Sequence, residues 1–353
     1  MKAVGCERAG GPEVLADVVV DDPVPGPRDI LVRVSAISVN PVDFKIREKA
    51  KGPWPAVLGW DAVGTVGAIG DDVTLFSVGD RVWYSGAIDR PGCDSELHVV
   101  DERLAAHAPV EVDDADAAAM PLTTVTAWEL LFDRLGVVQD GISNRPQTLL
   151  VVGAAGGVGS VLVQLARRLT RLTVIATASR PETASWTRTL GAHHVVDHSS
   201  LIEDVHSLGY SSIDLIASLT ETDLHFNTYV ELIAPQGRIG LIDDPVDLDV
   251  SRLKEKSVSL HWELMYTRSL FRTSDMARQH EILTEAARLM EAGVLRSTRR
   301  QHFGTIEAHN VQAAHQMQAT GRVIGKSVLA GWPTETPPIP GETRAGRQDR
   351  EGG

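Results

Sequence analysis

One segment near the middle of the chain combines a short apolar run, a glycine-rich turn and a helical pattern. Residues 148–160 read Thr-Leu-Leu-Val-Val-Gly-Ala-Ala-Gly-Gly-Val-Gly-Ser, and apolar residues then recur at helical spacing through Leu169. Small residues in such a turn let the backbone approach a phosphate, and the helix N-terminus supplies free N–H groups and a positive dipole. The A-x-G-x-x-G spacing therefore predicts a dinucleotide pyrophosphate site. The residues predicted to form it are Ala154, Ala155, Gly156, Gly157, Val158 and Gly159.

Composition narrows the choice of partners. The chain has 353 residues, enough for two domains, and a formal net charge of −13, which argues against nucleic acid or an anionic membrane as partner. No apolar run approaches the roughly 20 residues that span a bilayer. Cys6 and Cys93 are the only cysteines, and the N-terminus passes directly into a strand-like pattern. We therefore expect a cytoplasmic protein that acts on a small molecule.

Two patterns of secondary structure follow one another along the chain. The first 120 or so residues predict a β-rich fold, with strands near 30–34, 63–68, 81–84 and 96–100. A helical pattern over 115–131 is broken at Pro121. From residue 148 strands alternate with helices, including a helix over 181–190 and strands at 194–196, 213–219, 238–242 and 258–264. This alternation predicts a doubly wound parallel sheet, followed by a helix near 274–292.

Residues 333–353 are rich in Pro, Gly, Glu and Arg and predict a disordered tail.

Several motifs, taken together, carry a family resemblance. They are Asn40-Pro41-Val42-Asp43-Phe44-Lys45, the Leu58-Gly59-Trp60-Asp61 run with the residues through Val66, Val78-Gly79-Asp80-Arg81-Val82, residues 122–128, the glycine-rich turn, and residues 190–197. In this order they resemble the medium-chain dehydrogenase/reductase superfamily, and within it the quinone oxidoreductase and zinc-type alcohol dehydrogenase-like branch.

The resemblance implies an α/β fold with two domains and an active site in the cleft between them. A GroES-like, β-rich catalytic domain would comprise residues 1–126 and 266–332. A Rossmann domain that binds the cofactor would comprise residues 127–265. Family members commonly associate, so a homodimer or homotetramer is also expected.

Catalytic zinc is not expected despite the name of the branch. Zinc-containing members use a Cys, a Gly-His-Glu and a second Cys, and the matching positions here hold Asn40 and Gly59-Trp60-Asp61. No Cys or His occurs between Ala108 and Ala192, where the third ligand would fall. Because tetrahedral zinc needs about three converging N or S side chains, we predict no metal site.

The tip of the second Rossmann strand indicates which nicotinamide cofactor is bound. NAD enzymes place a carboxylate there for the ribose 2′-hydroxyl, but this strand ends in Thr177-Ala178-Ser179-Arg180. Ser179 could hydrogen-bond a 2′-phosphate and Arg180 could pair with it, which favours NADPH. Arg180 as a solvated loop charge stays open as an alternative. By the resemblance, Lys326 occupies a position near the cofactor.

The resemblance also places candidate catalytic residues along the cleft. Asn40, Asp43 and Lys45 match positions that line the nicotinamide, and Thr126 resembles a threonine that contacts it. We hypothesise that Lys45 donates a hydrogen bond or proton to a developing enolate oxygen, aided by partial burial. A surface lysine paired with Asp43 is the alternative, as is a helix residue bonding backwards for Thr126. Trp60 and Tyr266 are predicted to shape the substrate pocket, and for Trp60 plain core packing stays open as an alternative.

Hydride addition to a carbonyl compound places negative charge on its oxygen, and zinc usually stabilises that charge. Without zinc, the favoured substrates are those in which conjugation spreads the charge over several atoms. The sequence therefore predicts NADPH-dependent, zinc-independent reduction of quinones or α,β-unsaturated carbonyl compounds. Two rivals stay open: a true zinc-dependent alcohol dehydrogenase, and a non-catalytic NADPH-binding sensor, since a fold alone does not guarantee catalysis.

Overall fold

The computed structural model describes residues 1–139 and 147–333. The predicted tail lies outside the described residues except for Pro333. The N-terminal part is dominated by strands. Its elements are β1 (Lys2–Cys6), β2 (Leu15–Val19), β3 (Asp29–Val39), α1 (Pro41–Lys49), β4 (Ala56–Val57), β5 (Asp61–Ile69), β6 (Arg81–Ser85), β7 (Leu97–Asp101), β8 (Ala105–His107), α2 (Asp114–Ala118) and α3 (Pro121–Trp128).

The rest of the described chain alternates strands and helices before it returns to the first sheet. A π-helical turn (Glu129–Arg134) directly follows α3. The later elements are β9 (Thr148–Val152), α4 (Gly157–Leu169), β10 (Thr173–Thr177), α5 (Pro181–Leu190), β11 (His194–Val196), α6 (Leu201–Ser207), β12 (Ile213–Ser218), α7 (Thr222–Leu232), β13 (Ile233–Leu241), β14 (Ser259–Trp262), α8 (Thr267–Phe271), α9 (Arg278–Glu291), β15 (Arg299–His302), α10 (Ala308–Ala319) and β16 (Lys326–Ala330).

Both ends of the chain contribute to one large sheet. Its order is β15-β16-β3-β5-β6-β8, with β7 also paired to β3, while β2, β1 and β4 form a small antiparallel sheet. Strand β16 pairs antiparallel with β3, which brings Ser327 opposite Val39. This register carries Lys326, from the far end of the sequence, to the start of α1.

The middle of the chain forms a six-stranded sheet in the order β11-β10-β9-β12-β13-β14. Every pairing in it is parallel. This is the doubly wound Rossmann order, in which ligands bind at the carboxyl ends of the strands near the point where the order reverses. The α/β fold class is therefore as the sequence predicted, although the residue boundaries of the two domains stay predictions. Among the described residues, we find no helix of the length and apolar character needed to span a bilayer.

Candidate active site

The glycine-rich turn joins β9 to α4 at the carboxyl edge of the parallel sheet. Gly153 adopts φ +79°, a left-handed conformation that favours glycine. A Cβ at Gly159 would lie 2.5 Å from the carbonyl oxygen of Gly153 and 2.6 Å from the Cα of Ala154, so only glycine lets the helix pack this closely. At Gly156 the nearest atom to such a Cβ is 3.5 Å away, which leaves the turn open to a ligand.

The first turn of α4 presents its N–H groups at this edge. Gly156 is the N-cap, so the unpaired donors of the first turn follow it, among them those of Gly157, Val158 and Gly159. Ala154 is fully buried beneath the turn, and the Ala155 carbonyl accepts a 2.8 Å hydrogen bond from the Gly325 N–H. The turn is thus braced by the segment that leads into β16, and its geometry suits a pyrophosphate.

Three arginines surround a pocket beside the tip of β10. The pocket has a volume of about 410 Å³ and is lined by Arg180, Arg300 and Arg322 together with four uncharged side chains. Arg180 is the N-cap of α5, and its Nη2 donates to the carbonyl oxygen of Arg322 at 2.9 Å. Ser179, the other residue predicted here, is exposed. Sequence reasoning missed Arg300 and Arg322, because only the fold brings them to Arg180.

A buried carboxylate, Asp61 at the start of β5, is the centre of a polar network. Its Oδ2 accepts hydrogen bonds from Ser38 Oγ at 2.6 Å, from Asn40 Nδ2 at 3.2 Å and from Lys326 Nζ at 3.2 Å. Its Oδ1 accepts the Leu122 N–H at 3.1 Å, one of the N–H groups at the start of α3. One carboxylate thus joins β3, α1, α3 and β16. Sequence reasoning treated Asp61 only as a missing zinc ligand.

Lys326 takes part in this network through its ammonium group. Nζ donates to Val39 O at 2.9 Å and to Asn40 Oδ1 at 2.5 Å as well as to Asp61, and the residue is 3% exposed. Burial lowers the pKa of Lys326, while Asp61 and Asp43 oppose that shift. Its side-chain carbons lie against the glycine-rich turn, since a Cβ at Gly157 would lie 2.9 Å from Lys326 Cδ. Lys326 therefore lies beside the glycine-rich turn, its ammonium is bound within the network, and its nearness to the cofactor stays a prediction.

Asp43 combines a structural contact with an unpaired oxygen. Its Oδ2 accepts the Asn40 N–H at 2.7 Å, which closes a capping box at the start of α1. Its Oδ1 is buried and has no hydrogen-bond partner. Burial raises the pKa of Asp43 to about 7, Lys326 opposes the rise, and Asp61 adds to it.

Lys45 lies on the outer side of α1, away from this network. Its ammonium pairs with Asp244 Oδ2 at 3.0 Å, and its side chain is 47% exposed. Lys45 is thus at the surface, as the alternative held, but its partner is Asp244 and not Asp43. Asp43 and Lys45 are two positions apart and therefore lie on opposite sides of α1, Asp43 buried and Lys45 exposed. Asp244 follows β13, so the ion pair connects the two halves of the molecule. The proton-donor role of Lys45 stays a prediction.

The remaining candidate side chains are buried around the same region. Thr126 Oγ1 donates to Leu122 O at 2.8 Å, the backward helical bond considered as an alternative. Trp60 Nε1 donates to Ala87 O at 3.0 Å, which fixes the indole in the core. The Tyr266 hydroxyl is buried without a hydrogen-bond partner, and burial raises its pKa well above the ordinary value. Roles in contact with a ligand stay predictions for all three residues.

The side chains at the positions matched to zinc ligands do not suit the metal. The Trp60 indole N–H is a donor only, and the Asn40 amide is committed to Lys326 and Asp61. Asp61 is itself bound by four donors. Within the parts of the chain that the structure describes, no group of three or more His, Cys, Asp or Glu residues could hold a metal ion. The donor set is thus a poor match to tetrahedral zinc.

Comparison with known proteins agrees with this architecture. Residues 26–108 match the alcohol dehydrogenase GroES-like domain, and residues 190–329 match the zinc-binding dehydrogenase family. The chain belongs to the medium-chain dehydrogenase/reductase superfamily of oxidoreductases.

Individual relatives within the superfamily differ in their names. A zinc-type alcohol dehydrogenase-like protein of Staphylococcus aureus is 40% identical over 87% of this chain and 92% of its own length. A quinone oxidoreductase of Pseudomonas aeruginosa is 32% identical over 91% of this chain and 96% of its own. The structure of a mycobacterial protein complexed with NADPH is 26% identical and superimposes with a TM-score of 0.80 over 94% of this chain and 99% of that one. The relatives therefore include both kinds of protein that define the branch, quinone oxidoreductases and zinc-type alcohol dehydrogenase-like proteins.

Proposed function

We propose that this protein is an NADPH-dependent, zinc-independent oxidoreductase that reduces quinones or α,β-unsaturated carbonyl compounds by hydride transfer. The observation that carries the proposal is the contact between the glycine-rich turn, at Gly157, and a buried polar centre in which Asp61 is bound by Lys326 and Asn40 rather than arranged as a tetrahedral zinc site. Bound NADPH would supply the hydride. The residues of the chain would position the cofactor and the substrate next to each other and stabilise the charge that develops on the substrate oxygen.

Preference for NADPH is supported by the three arginines beside the tip of β10. A 2′-phosphate carries up to two negative charges, and guanidinium groups bind phosphate through charge-assisted hydrogen bonds. Three such groups around one pocket stand out in a chain with a net charge of −13. The related mycobacterial structure was determined with NADPH, which supports the same assignment.

The substrate class follows from what the polar centre can provide. Reduction of an isolated ketone places a full charge on one oxygen, which enzymes usually meet with a metal or a strong acid. Quinones and enones spread this charge by conjugation, so neutral hydrogen-bond donors and one proton source suffice. Asn40, Lys45 and Thr126 are the proposed polar groups of the reaction, with Trp60 and Tyr266 shaping the pocket.

Turnover without metal is the first test. Protein stripped with a chelator would be assayed for NADPH and NADH oxidation with 9,10-phenanthrenequinone, an alkyl enone and a simple alkanone. We expect NADPH-dependent reduction of the quinone or the enone and none of the alkanone. Activity confined to the alkanone and restored by zinc would support an alcohol dehydrogenase and overturn the proposal. Tight NADPH binding without turnover of any substrate would support the sensor instead.

The arginine pocket can be tested by binding alone. We expect Arg180→Ala combined with Arg322→Ala to raise the Kd for NADPH at least tenfold, because the 2′-phosphate loses two charged partners. The Kd for NADH should stay within twofold. Arg188→Ala, an exposed arginine further along α5, is the matched control. An equal loss of affinity for NADPH and NADH would show that the arginines do not recognise the 2′-phosphate.

A further inference from the structure

The Asn40 amide is held in one orientation by groups of opposite charge. Lys326 Nζ donates to Asn40 Oδ1 at 2.5 Å, and Asn40 Nδ2 donates to Asp61 Oδ2 at 3.2 Å. A rotation of the amide by 180° would place its NH₂ group against the ammonium and its oxygen against the carboxylate. Both contacts would then be repulsive in a buried setting where electrostatic interactions are strong. The pair Asp61–Lys326 therefore fixes the direction of the amide dipole.

The same pair connects the three segments that meet at the proposed cofactor site. Asp61 Oδ1 holds the N-terminal end of α3 through Leu122, and α3 carries Thr126. The carbons of Lys326 contact the glycine-rich turn at Gly157, and Gly325 binds the carbonyl of Ala155 at 2.8 Å. A change in either charged residue should therefore alter how α1 and α3 lie relative to the turn, while the turn itself is still held by its glycine packing and by the Gly325 hydrogen bond.

Direct contact between the Lys326 ammonium and a cofactor phosphate is not favoured by this geometry. The ammonium has three hydrogen donors, and three oxygens already accept from it. To reach a phosphate it would leave the buried Asp61 carboxylate without its cation, which is strongly unfavourable.

We propose that Asp61 and Lys326 are positioning residues, which hold the Asn40 amide, the start of α3 and the glycine-rich turn in the one arrangement that aligns cofactor and substrate. This inference rests on the proposed function. It assigns a role to Asp61, and it replaces direct cofactor binding by Lys326 with an indirect effect. The expected signature of a positioning role is a loss of kcat with little loss of cofactor affinity.

The test uses a variant in which both charges are removed together. Lys326→Met alone would leave the Asp61 charge buried and could unfold the protein, whereas Lys326→Met with Asp61→Asn is neutral and keeps the side-chain shapes. We expect this double variant to lower kcat about 100-fold, the effect of a displacement of about 1 Å between reacting groups. The Kd values for NADPH and for 2′,5′-ADP, measured by tryptophan fluorescence, should stay within threefold. Arg90→Met with Asp29→Asn, another ion pair in the same domain, is the matched control and should leave kcat unchanged.

Two further measurements separate positioning from a general effect on structure. If the pair acts through Asn40, adding Asn40→Ala to the double variant should lower kcat by less than threefold more, because interacting sites are not additive. The ¹⁵N-labelled side-chain NH₂ group of Asn40 should exchange slowly with solvent in the wild type and at least tenfold faster in the double variant. This exchange is measured without cofactor or substrate.

The outcomes are distinct. Unchanged kcat and unchanged amide exchange in the double variant would overturn the inference. A rise of more than tenfold in the Kd for NADPH with kcat retained would also overturn it, in favour of direct cofactor binding. If the wild type turns over none of the substrates, the proposed function fails, and slow Asn40 exchange that is lost in the double variant would then support the structural part of the inference alone.

Discussion

Asp43 binds its proton more tightly in the folded protein than in the unfolded chain. Its folded pKa is about 7 against an ordinary value of 3.8, so stabilisation by the protonated form is complete below about pH 4 and is lost as pH rises through 7. Asp43→Asn keeps an oxygen for the Asn40 N–H but does not titrate. Urea unfolding gives the free energy of unfolding of the variant and of the wild type at each pH. We expect the difference, variant minus wild type, to be larger at pH 7 than at pH 4 by at most about 4 kcal/mol. A difference that stays constant over this range would contradict the expected titration.

Lys45 and Asp244 can be distinguished by opposite effects on turnover. If Lys45 supplies the proton, its pair with Asp244 must open during the reaction. We expect Lys45→Met to lower kcat about 100-fold, within the range for loss of a general acid. Asp244→Asn should leave kcat equal or higher, because it frees the ammonium. Since both side chains are exposed, neither change should cost more than about 1 kcal/mol of stability. A Lys45→Met variant within threefold of wild type would exclude the proton-donor role.

Individual residues of the site differ in how far the sequence could predict them. Asn40, Asp43 and Lys326 were singled out because they stand in recognisable motifs. The hydrogen-bond network of Asp61 could not be found this way, since its partners come from positions 38, 40, 122 and 326. The exposure of Lys45 was equally hidden, because the sequence does not show which side of α1 faces the core.

At the scale of elements, the turn before α4 offers a matched pair of glycines. Gly159→Ala would place a methyl group against backbone atoms of Gly153 and Ala154, so we expect a stability loss of about 1–3 kcal/mol and weaker NADPH binding. Gly156→Ala meets no close atom and has φ −71°, so stability should change by less than about 1 kcal/mol. Its methyl group would still intrude on the proposed phosphate site and raise the Kd for NADPH. Thermal unfolding and fluorescence titration measure the two effects, and equal stability losses would contradict this reading of the turn.

Secondary structure was most predictable where the sequence carries its own boundary signals. Helix α5 spans Pro181–Leu190 as expected, because proline suits the first turn and Gly191 takes the left-handed cap at φ +114°. Strand β13 was predicted to begin at residue 238, but it begins at Ile233. Pro235, Gln236 and Gly237 interrupt its apolar pattern, and Gln236 adopts φ +63°, so the early part of the strand has no clear sequence signal.

The whole molecule depends on contacts between distant parts of the chain. The α/β alternation of residues 148–264 predicts the parallel sheet because a helix between two strands returns the chain to the same edge, so that successive strands run in the same direction. The return of residues 299–330 to the sheet of β3 came only from the family resemblance, since no local pattern specifies that β16 pairs with β3. The candidate active site is formed by this return, which is why its geometry required the structure.

The expected homo-oligomer remains a proposal, and one edge of the molecule suggests how it would form. Strand β14 is the outer strand of the parallel sheet and, among the described residues, pairs only with β13. Trp262 and Leu264, at and just after its end, are 55% and 51% exposed. An open edge with exposed apolar side chains favours association with another chain.

We therefore expect wild-type protein to be a dimer or tetramer by light scattering at micromolar concentration. Trp262→Lys with Leu264→Lys should shift it towards monomer, because each copy would bring like charges to the shared edge. Val24→Lys, at an exposed loop position far from this sheet in the sequence, is the control and should leave the mass unchanged. A wild type that is monomeric would refute association altogether. An oligomer unaffected by the double change would place the interface on another surface.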